Sequence, residues 1–392
     1  MSKTRSLETA TASPGNSGEV LAAVRSALSG GPAVLPLPPG PEPAQTSLLN
    51  SLRPDLPLEE GAALVVPTSG STGEPKGVLL SADAMIASAD ATHARLGGPG
   101  RWLLALPTTH IAGLMVLARS VVAGVDPVVL DLSDGFDPES FAAASVRLLA
   151  ESKRRYTALV PKQLSDIVRD DGCGLEALAA YDAVLIGGSP AAPDLVARAR
   201  AAGVQVITAY GMTETCGGCV YDGAALDGMK VEIGSDGRIR LAGPMLALGY
   251  RLRPELTRDA FAHGWFITAD AGRIDAEGKL HVIGRVDDIA ITGGVNVPLA
   301  AVDAAVASHP DVDQACAVAL PDAEWGERIV VAVVAAAGCS PTLAAVRGHV
   351  MRTLPTAFAP KELIVVDALP MLAGQKVDRQ QLTARLLEGL DD

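Results

Sequence analysis

Residues 66–80 read VPTSGSTGEPKGVLL, a loop of glycines and hydroxyls set between apolar runs. Gly70, Gly73 and Gly77 carry no side chain, so backbone N–H groups there can come close to an anion. Thr68, Ser69, Ser71 and Thr72 add hydroxyl donors, and Lys76 adds a mobile positive charge. Together they describe a wrapper for a polyphosphate. The spacing departs from G-x-x-x-x-G-K-[ST], because Gly77 rather than a hydroxyl follows Lys76. On the loop alone, a Ser/Gly linker is the plain alternative.

Outward from the loop, short apolar runs alternate with Ala-rich helical stretches. AALVVP (62–67) predicts a strand ending at the loop, and ADAMIASADATHARLG (82–97) a helix with a Gly stop. RWLLALP (101–107) reads as a buried strand and HIAGLMVLARSVVAG (110–124) as a helix. DPVVLDL, RRYTALVP, AVLIGGSP and VQVITAYG read as further strands, each separated from the next by a helix-length segment. This order predicts an α/β fold with a largely parallel sheet and ligands at the loops after its strands. After residue 225 the Gly/Asp turns predict β-hairpins, and from about 288 a compact α+β unit begins. The expected division is a flexible tail (1–17), a large N-terminal domain (18–285) and a small mobile C-terminal domain (286–392). The proline-rich residues 31–44 are expected as a surface connection.

Composition narrows the function. A net charge of −13 argues against a broad nucleic-acid-binding face, so any phosphate must meet a local site. Aromatics are 3% of the residues, which leaves little for base stacking, whereas 48% hydrophobic content supplies a large core. No run of about 18 uncharged apolar residues exists, and the N-terminus lacks the apolar core of a signal peptide. Five cysteines in 392 residues do not make a disulfide scaffold. The expectation is a soluble cytoplasmic protein, monomer or homodimer, with no nucleic-acid or membrane partner.

Five motifs in order carry a resemblance over residues 62–385: TSGSTGEPKG (68–77), YGMTE (210–214), GWFITAD (264–270), GRVDDIAITGGVNV (284–297) and GQKVDR (374–379). The chain resembles the adenylate-forming enzymes: acyl-CoA ligases, luciferases and peptide-synthetase adenylation domains. The resemblance implies ATP, Mg2+ and CoA as partners of a small-molecule carboxylic acid. The carboxylate attacks the α-phosphate of ATP, and a thiol then displaces AMP. Both steps build negative charge at oxygen, so positive and hydrogen-bonding groups matter most.

Residue roles follow from the resemblance. Lys376 would bridge the carboxylate and the α-phosphate, Thr213 would bond the α-phosphate, and Glu214 would hold Mg2+. Tyr210, with Gly211 and Met212, would pack on adenine, with Gly187, Gly188 and Ser189 covering its other face. Asp270 would accept the ribose hydroxyls, and Arg285 would reach the ribose or phosphate. Asp287 would be the hinge, and Gly293 and Gly294 would leave room for the pantetheine arm. Two positions depart from the pattern: Ala269 stands where Gly is usual, and Gln375 separates Gly374 from Lys376. Ala269 puts in doubt any conformation that needs positive φ.

RRYTALVPKQL (154–164), LPTTHIAGL (106–114) and GGCVYDG (217–223) are similar to one subgroup, the short o-succinylbenzoate–CoA ligases of menaquinone biosynthesis. That substrate carries a second carboxylate, which calls for a Ser, Thr or cation deep in the pocket. His110, Lys162, Gln163 and Ser189 are the candidates, and Gly217 and Gly218 are expected to leave room for the ring. Cys216 and Cys219 are expected as small pocket-wall residues, since no second pair or nearby His supports a metal. The alternatives are a ligase for another aryl or short-chain acid, an adenylate-binding protein without catalysis, and a module that loads a carrier protein.

Overall fold

The computed structural model describes residues 5–15, 17–39, 42–69, 75–151, 153–372 and 376–388. The chain divides into two compact units, residues 1–232, 240–267 and 274–280, and residues 233–239, 268–273 and 281–392.

The first unit is built on two sheets. One runs in the order Leu7–Thr11, Ala33–Leu37, Ala62–Ser69, Pro75–Ser81, Gly249–Tyr250. Ala62 to Val66 are all buried, as an unbroken apolar run predicts for a strand covered on both faces. Leu48 and Leu52 of helix Glu42–Leu52 pack on Leu35, Val65 and Leu79. The first three strands are parallel. Ala62–Ser69 and Pro75–Ser81 then form an antiparallel pair whose last partners are Ser69 and Pro75.

Two expectations fail here. Residues 7–11 are not a loose tail but a parallel strand in register from Leu7↔Ala33 to Thr11↔Leu37. The proline-rich stretch is not a surface connection, because Ala33–Leu37 is a wholly buried strand. The two corrections share a cause: a buried strand must satisfy its backbone N–H and C=O groups, and residues 7–11 supply the partner. Pro36 is tolerated because, towards Ala62–Ser69, the ladder holds only Val34↔Leu64.

The second sheet runs Ala224–Ala225, Gly217–Tyr221, Val206–Met212, Ala183–Ile186, Arg155–Leu159, Arg101–Leu104, Val128–Val129. Its last five strands are parallel, with helices Pro138–Glu151, Pro161–Asp170 and Pro193–Ala201 in the connections. Phe141, Leu164, Tyr181, Val184 and Ala199 share one core between sheet and helices. Further on, Lys230–Ile233 and Arg238–Ala242 flank a Gly/Asp turn closed by Gly234 N–H to Arg238 O.

In the second unit, antiparallel Val312–Asp322 and Gly326–Ala335 carry the long ladder. Glu362–Val365 pairs parallel to the second of them. Helices Leu299–Ala307 and Leu343–Val350 place Val302, Val306, Val346 and Val350 in one core, and Leu382 of Arg379–Glu388 lies in another with Cys316 and Val318. This is the mixed α/β architecture, with a large N-terminal part and a smaller α+β part, that the alternation of elements predicted. Among the described residues no helix is long and apolar enough to cross a membrane.

Candidate active site

The polar loop is held by its flanking strands. Thr68 lies opposite Lys76 in the ladder, and Thr68 Oγ1 donates to Lys76 O at 3.3 Å. Gly70, Ser71, Thr72 and Gly73 lie outside the described residues, and of Ser69 only the backbone is described. Gly77 does not serve anion approach. It stands in the strand Pro75–Ser81, and a Cβ there would meet Leu52 and Val65 at 2.7 and 2.9 Å. It is glycine for packing.

Strand geometry brings three polar groups together. On Pro75–Ser81, Lys76 and Val78 face the same way, because side chains alternate along a strand. Val78 lies opposite Tyr250 in the antiparallel pair, so Lys76 and Tyr250 are diagonal neighbours on one face. Lys76 Nζ sits 4.3 Å from the Tyr250 ring centroid and 3.3 Å from its hydroxyl. The third member is Glu214, whose Oε1 accepts from Lys76 Nζ at 3.2 Å and from Tyr250 OH at 2.8 Å. Burial and the neighbouring Glu214 charge push the Tyr250 phenol well above its usual range, so it remains a donor.

Glu214 owes its position to a turn. The strand Val206–Met212 ends, Thr213–Thr215 make one 3-10 turn, and Cys216 and Gly217 take positive φ of 51° and 82° to reverse the chain into Gly217–Tyr221. Thr215 fastens the turn, accepting from Met212 N–H at 3.0 Å and donating to Gly217 O at 2.7 Å. Ser88 donates to Cys216 O at 3.0 Å, and Ala247 N–H donates to Glu214 O at 2.8 Å. Gly211 must be glycine, because a Cβ there would lie 2.1 Å from Gly217 O. Thr213 is buried beside Glu214, and Tyr210 and Met212 are half-buried.

Behind Tyr250, Arg251 is fully buried. It pairs with Glu59 at 2.8 Å and donates to the carbonyls of Leu52, Arg53, Leu56 and Pro57. One guanidinium thus ties residues 52–59 to the strand that carries Tyr250.

One buried cation was not among the candidates drawn from the sequence. Arg119 lies on helix Ile111–Ala123 and is 3% exposed. Its guanidinium carbon is 5.1 Å from the Trp102 ring centroid. Its Nε is buried with no hydrogen-bond partner, and no carboxylate pairs with it among the described residues. A Cβ on Gly217 would meet Met115 at 3.5 Å and Arg119 at 3.9 Å, so this cation lies directly under the turn that carries Glu214. An arginine inside the apolar run IAGLMVLARSVVAG was the available signal.

Burial, with Arg119 assisting, pushes His93 down to about 4, and the neutral ring accepts from Trp102 Nε1 at 3.5 Å. Cys216 and Cys219 are fully buried, and burial raises both thiols, Cys219 to about 12. Two buried, protonated thiols fit an apolar wall, and among the described residues no group of His, Cys, Asp and Glu could hold a metal there.

The other candidates sort as follows. Lys162 is solvent-exposed and pairs with Asp166 at 2.6 Å, the i,i+4 geometry of a helix surface, so it is not a deep pocket cation. Gln163 spends its amide on the backbone: Oε1 accepts from Val160 N–H at 3.0 Å and Nε2 donates to Ala105 O at 2.8 Å. It caps its own helix, and both amide atoms are engaged by the backbone in a side chain that is 7% exposed. Gly218 leaves no room for a ring either, since a Cβ built there would meet the Tyr221 ring at 2.9 Å. His110 is the exposed N-cap residue of helix Ile111–Ala123, without a side-chain cap bond. Gly187 is half-buried, and Gly188 and Ser189 are exposed after the strand Ala183–Ile186.

In the second unit, Thr268 Oγ1 accepts from Asp270 N–H at 3.1 Å and donates to Ile239 O at 2.8 Å, which fixes the backbone of Asp270. Ala269 is not among the positive-φ residues, so replacing the usual glycine strains nothing. Arg285 is exposed. Gly293 and Gly294 take positive φ at the tip of the Ile289–Thr292/Val295–Pro298 hairpin, with Trp325 at 2.9 Å from a Cβ built on Gly293. Of Asp287 and Lys376 the backbone alone is described; Lys376 opens the short strand Lys376–Val377, and Gly374 and Gln375 lie outside the described residues.

Family models of the AMP-binding enzyme match residues 22–243, and of the AMP-binding enzyme C-terminal domain residues 301–376. The chain belongs to the AMP-binding enzyme family. Family relatives extend over nearly its full length. A Mycobacterium tuberculosis protein named probable 2-succinylbenzoate–CoA ligase is 47% identical over 371 residues, 93% of this chain and 94% of that one. A Geobacillus kaustophilus 2-succinylbenzoate–CoA ligase is 33% identical, over 85% of this chain and 71% of its own. Among solved structures, the Bacillus subtilis o-succinylbenzoate CoA synthetase (MenE) in complex with the acyl-adenylate OSB-AMP superposes with a TM-score of 0.78. It is 26% identical and covers 95% of this chain and 82% of its own.

Mg2+ fits the family site. It binds proteins through one or two carboxylates and completes its shell with water and phosphate oxygens. Glu214 is one buried carboxylate at the foot of the phosphate loop, and no group of three acidic, His or Cys side chains forms a cage among the described residues.

Proposed function

We infer that the protein is an ATP-dependent, AMP-forming ligase that joins o-succinylbenzoate to CoA through an acyl-adenylate. The observation that carries the reaction class is the Lys76–Glu214 pair, which joins the base of the phosphate loop to the Tyr210–Glu214 motif. A cation there meets phosphate oxygens and a carboxylate meets the metal that travels with them. When bound, Mg2+ neutralises phosphate charge.

The aliphatic carboxylate of the acid attacks the α-phosphorus and pyrophosphate leaves with the P–O electrons. Lys76 donates to the β- and γ-phosphates, and Thr213 donates to the α-phosphate. Lys376 stabilises the charge that builds between the attacking carboxylate and the α-phosphate. Asp270 accepts from the ribose hydroxyls, with Arg285 beside it. The CoA thiolate then attacks the acyl carbon and AMP leaves. Asp287 is the proposed pivot between the two steps, with Gly293 and Gly294 at the thiol channel.

Arg119 supports the choice of acid. A buried guanidinium without a counter-ion is costly, and a second substrate carboxylate would complete the pair. This replaces Lys162 and Gln163 as the group that holds it. The names of the mycobacterial and Geobacillus relatives agree with the same acid, and the menaquinone route is the proposed context. The cytoplasm is the proposed compartment.

The test is product identification. Incubated with ATP, Mg2+, CoA and o-succinylbenzoate, the protein is expected to form one CoA thioester and one AMP per turnover, read by mass spectrometry. Formation of ADP, or a thioester from benzoate or a fatty acid but not from o-succinylbenzoate, would overturn the assignment.

A further inference from the structure

Arg379 begins the last helix, Arg379–Glu388, three residues after Lys376. Its guanidinium makes three links. Nε lies 3.3 Å from Asp288 Oδ1, in the 3-10 turn Val286–Asp288. One terminal nitrogen pairs with Asp303 Oδ2 at 2.8 Å on helix Leu299–Ala307, and the other donates to Ala317 O. Asp303 is itself bound on its other oxygen by Ala317 N–H at 2.5 Å, so this acid has an anchor besides the arginine. All these residues belong to the second unit.

The fork is directional. Asp288 follows the hinge residue Asp287, and Arg379 follows the strand that begins at Lys376. That strand pairs Leu372↔Lys376 and Met371↔Val377, and Asp378 N–H donates to Pro370 O at 2.7 Å. Residues 370–372 and 376–379 are therefore pinned to one another, and one pin reaches the segment beside the hinge. A bidentate planar donor suits this task, and lysine would reach only one acid at a time.

We propose that Arg379 is a positioning residue that ties the catalytic-lysine strand to the segment just after the hinge, so that the pivot is confined to Asp287 and the residues before it. The proposal rests on the reading of Lys376 as the adenylation residue. Loss of the fork leaves both motifs present but no longer held in a fixed relation. Adenylation, which needs Lys376 in place, suffers, and the thioester step does not.

The experiment measures the two half-reactions separately in the full chain: pyrophosphate release with acid and ATP, and thioester formation from supplied acyl-AMP and CoA. Arg379→Met is expected to lower kcat for adenylation at least ten-fold, with KM for ATP within about two-fold and thioester formation within about three-fold. Asp288→Asn is expected to act in the same direction and non-additively with Arg379→Met, and Arg379→Lys to recover part of the loss. Equal loss of both half-reactions in Asp288→Asn and Arg379→Lys, or full adenylation in all three variants while Lys376→Ala is inactive, would overturn the proposal. Adenylation that survives in Lys376→Ala would instead remove the reading beneath it, and the proposal with it.

Discussion

Lys76 and Glu214 stand 138 positions apart in the chain, and their charged atoms lie 3.2 Å apart. The distance is set by two unrelated local devices: the ladder that puts Lys76 beside Tyr250, and the Thr215-fastened turn that presents Glu214. Tyr250 closes the triangle from a third segment. The predictions below follow from this arrangement and from the buried charges around it.

Removing the Tyr250 hydroxyl leaves its ring against Lys76 but takes a donor from Glu214. A hydrogen bond to a charged group contributes about 1.5–3 kcal/mol. Tyr250→Phe is therefore expected to raise the Mg2+ concentration needed for half-maximal ATP binding several-fold, with a smaller effect on the acid. Titration of Mg2+ against bound nucleotide by calorimetry checks it.

Arg119 predicts opposite signs for activity and stability. Arg119→Met removes a buried cation with no carboxylate partner among the described residues, so stability is expected to hold or rise by ~1–3 kcal/mol. KM for o-succinylbenzoate is expected to rise at least a hundred-fold while KM for ATP stays near its starting value. Denaturant unfolding and initial rates read the two effects on one preparation. Loss of stability with an unchanged KM would make Arg119 structural.

His93 makes acid sensitivity local. The folded protein holds its ring neutral down to about 4, whereas the unfolded chain titrates it near 6.5. Between those values the unfolded state binds the extra proton, so stability falls as pH is lowered through the window and levels off below it. The full difference is ~3 kcal/mol. Thermal unfolding from pH 7 to 4.5 should show a shallower decline for His93→Gln than for the parent.

Arg251 is the opposite case to Arg119, because its charge is paired and every described contact is a backbone carbonyl or Glu59. Arg251→Ala takes the donor from four carbonyls, while Glu59 is 32% exposed and keeps Leu252 N–H; each buried acceptor left unpaired costs about 1–3 kcal/mol. The denaturation midpoint should drop accordingly, and Glu59→Gln should drop it less.

The sequence carried the large features because they are local. Alternating apolar runs mark the parallel strands, and the loop around Lys76 points to phosphate chemistry once it is read with the four motifs that follow it. What it hid was pairing. Nothing in LETAT says that residues 7–11 supply the backbone partner for Ala33–Leu37, and proline content there suggested a surface instead. Lys162 and Gln163 looked available because their partners, Asp166 and Ala105, are visible only in three dimensions. Arg119 was not among the candidates, because its burial and its unpartnered Nε are visible only in three dimensions. Ala269 looked like a strained departure until its φ proved ordinary.

The most direct measurement is exchange of labelled pyrophosphate into ATP, without CoA, for the acids o-succinylbenzoate, benzoate, succinate and a fatty acid. The reaction proposed here predicts rapid Mg2+-dependent exchange with o-succinylbenzoate, little with the others, and loss of exchange in Lys376→Ala. Exchange with no acid, or equal exchange in Lys376→Ala, would contradict it.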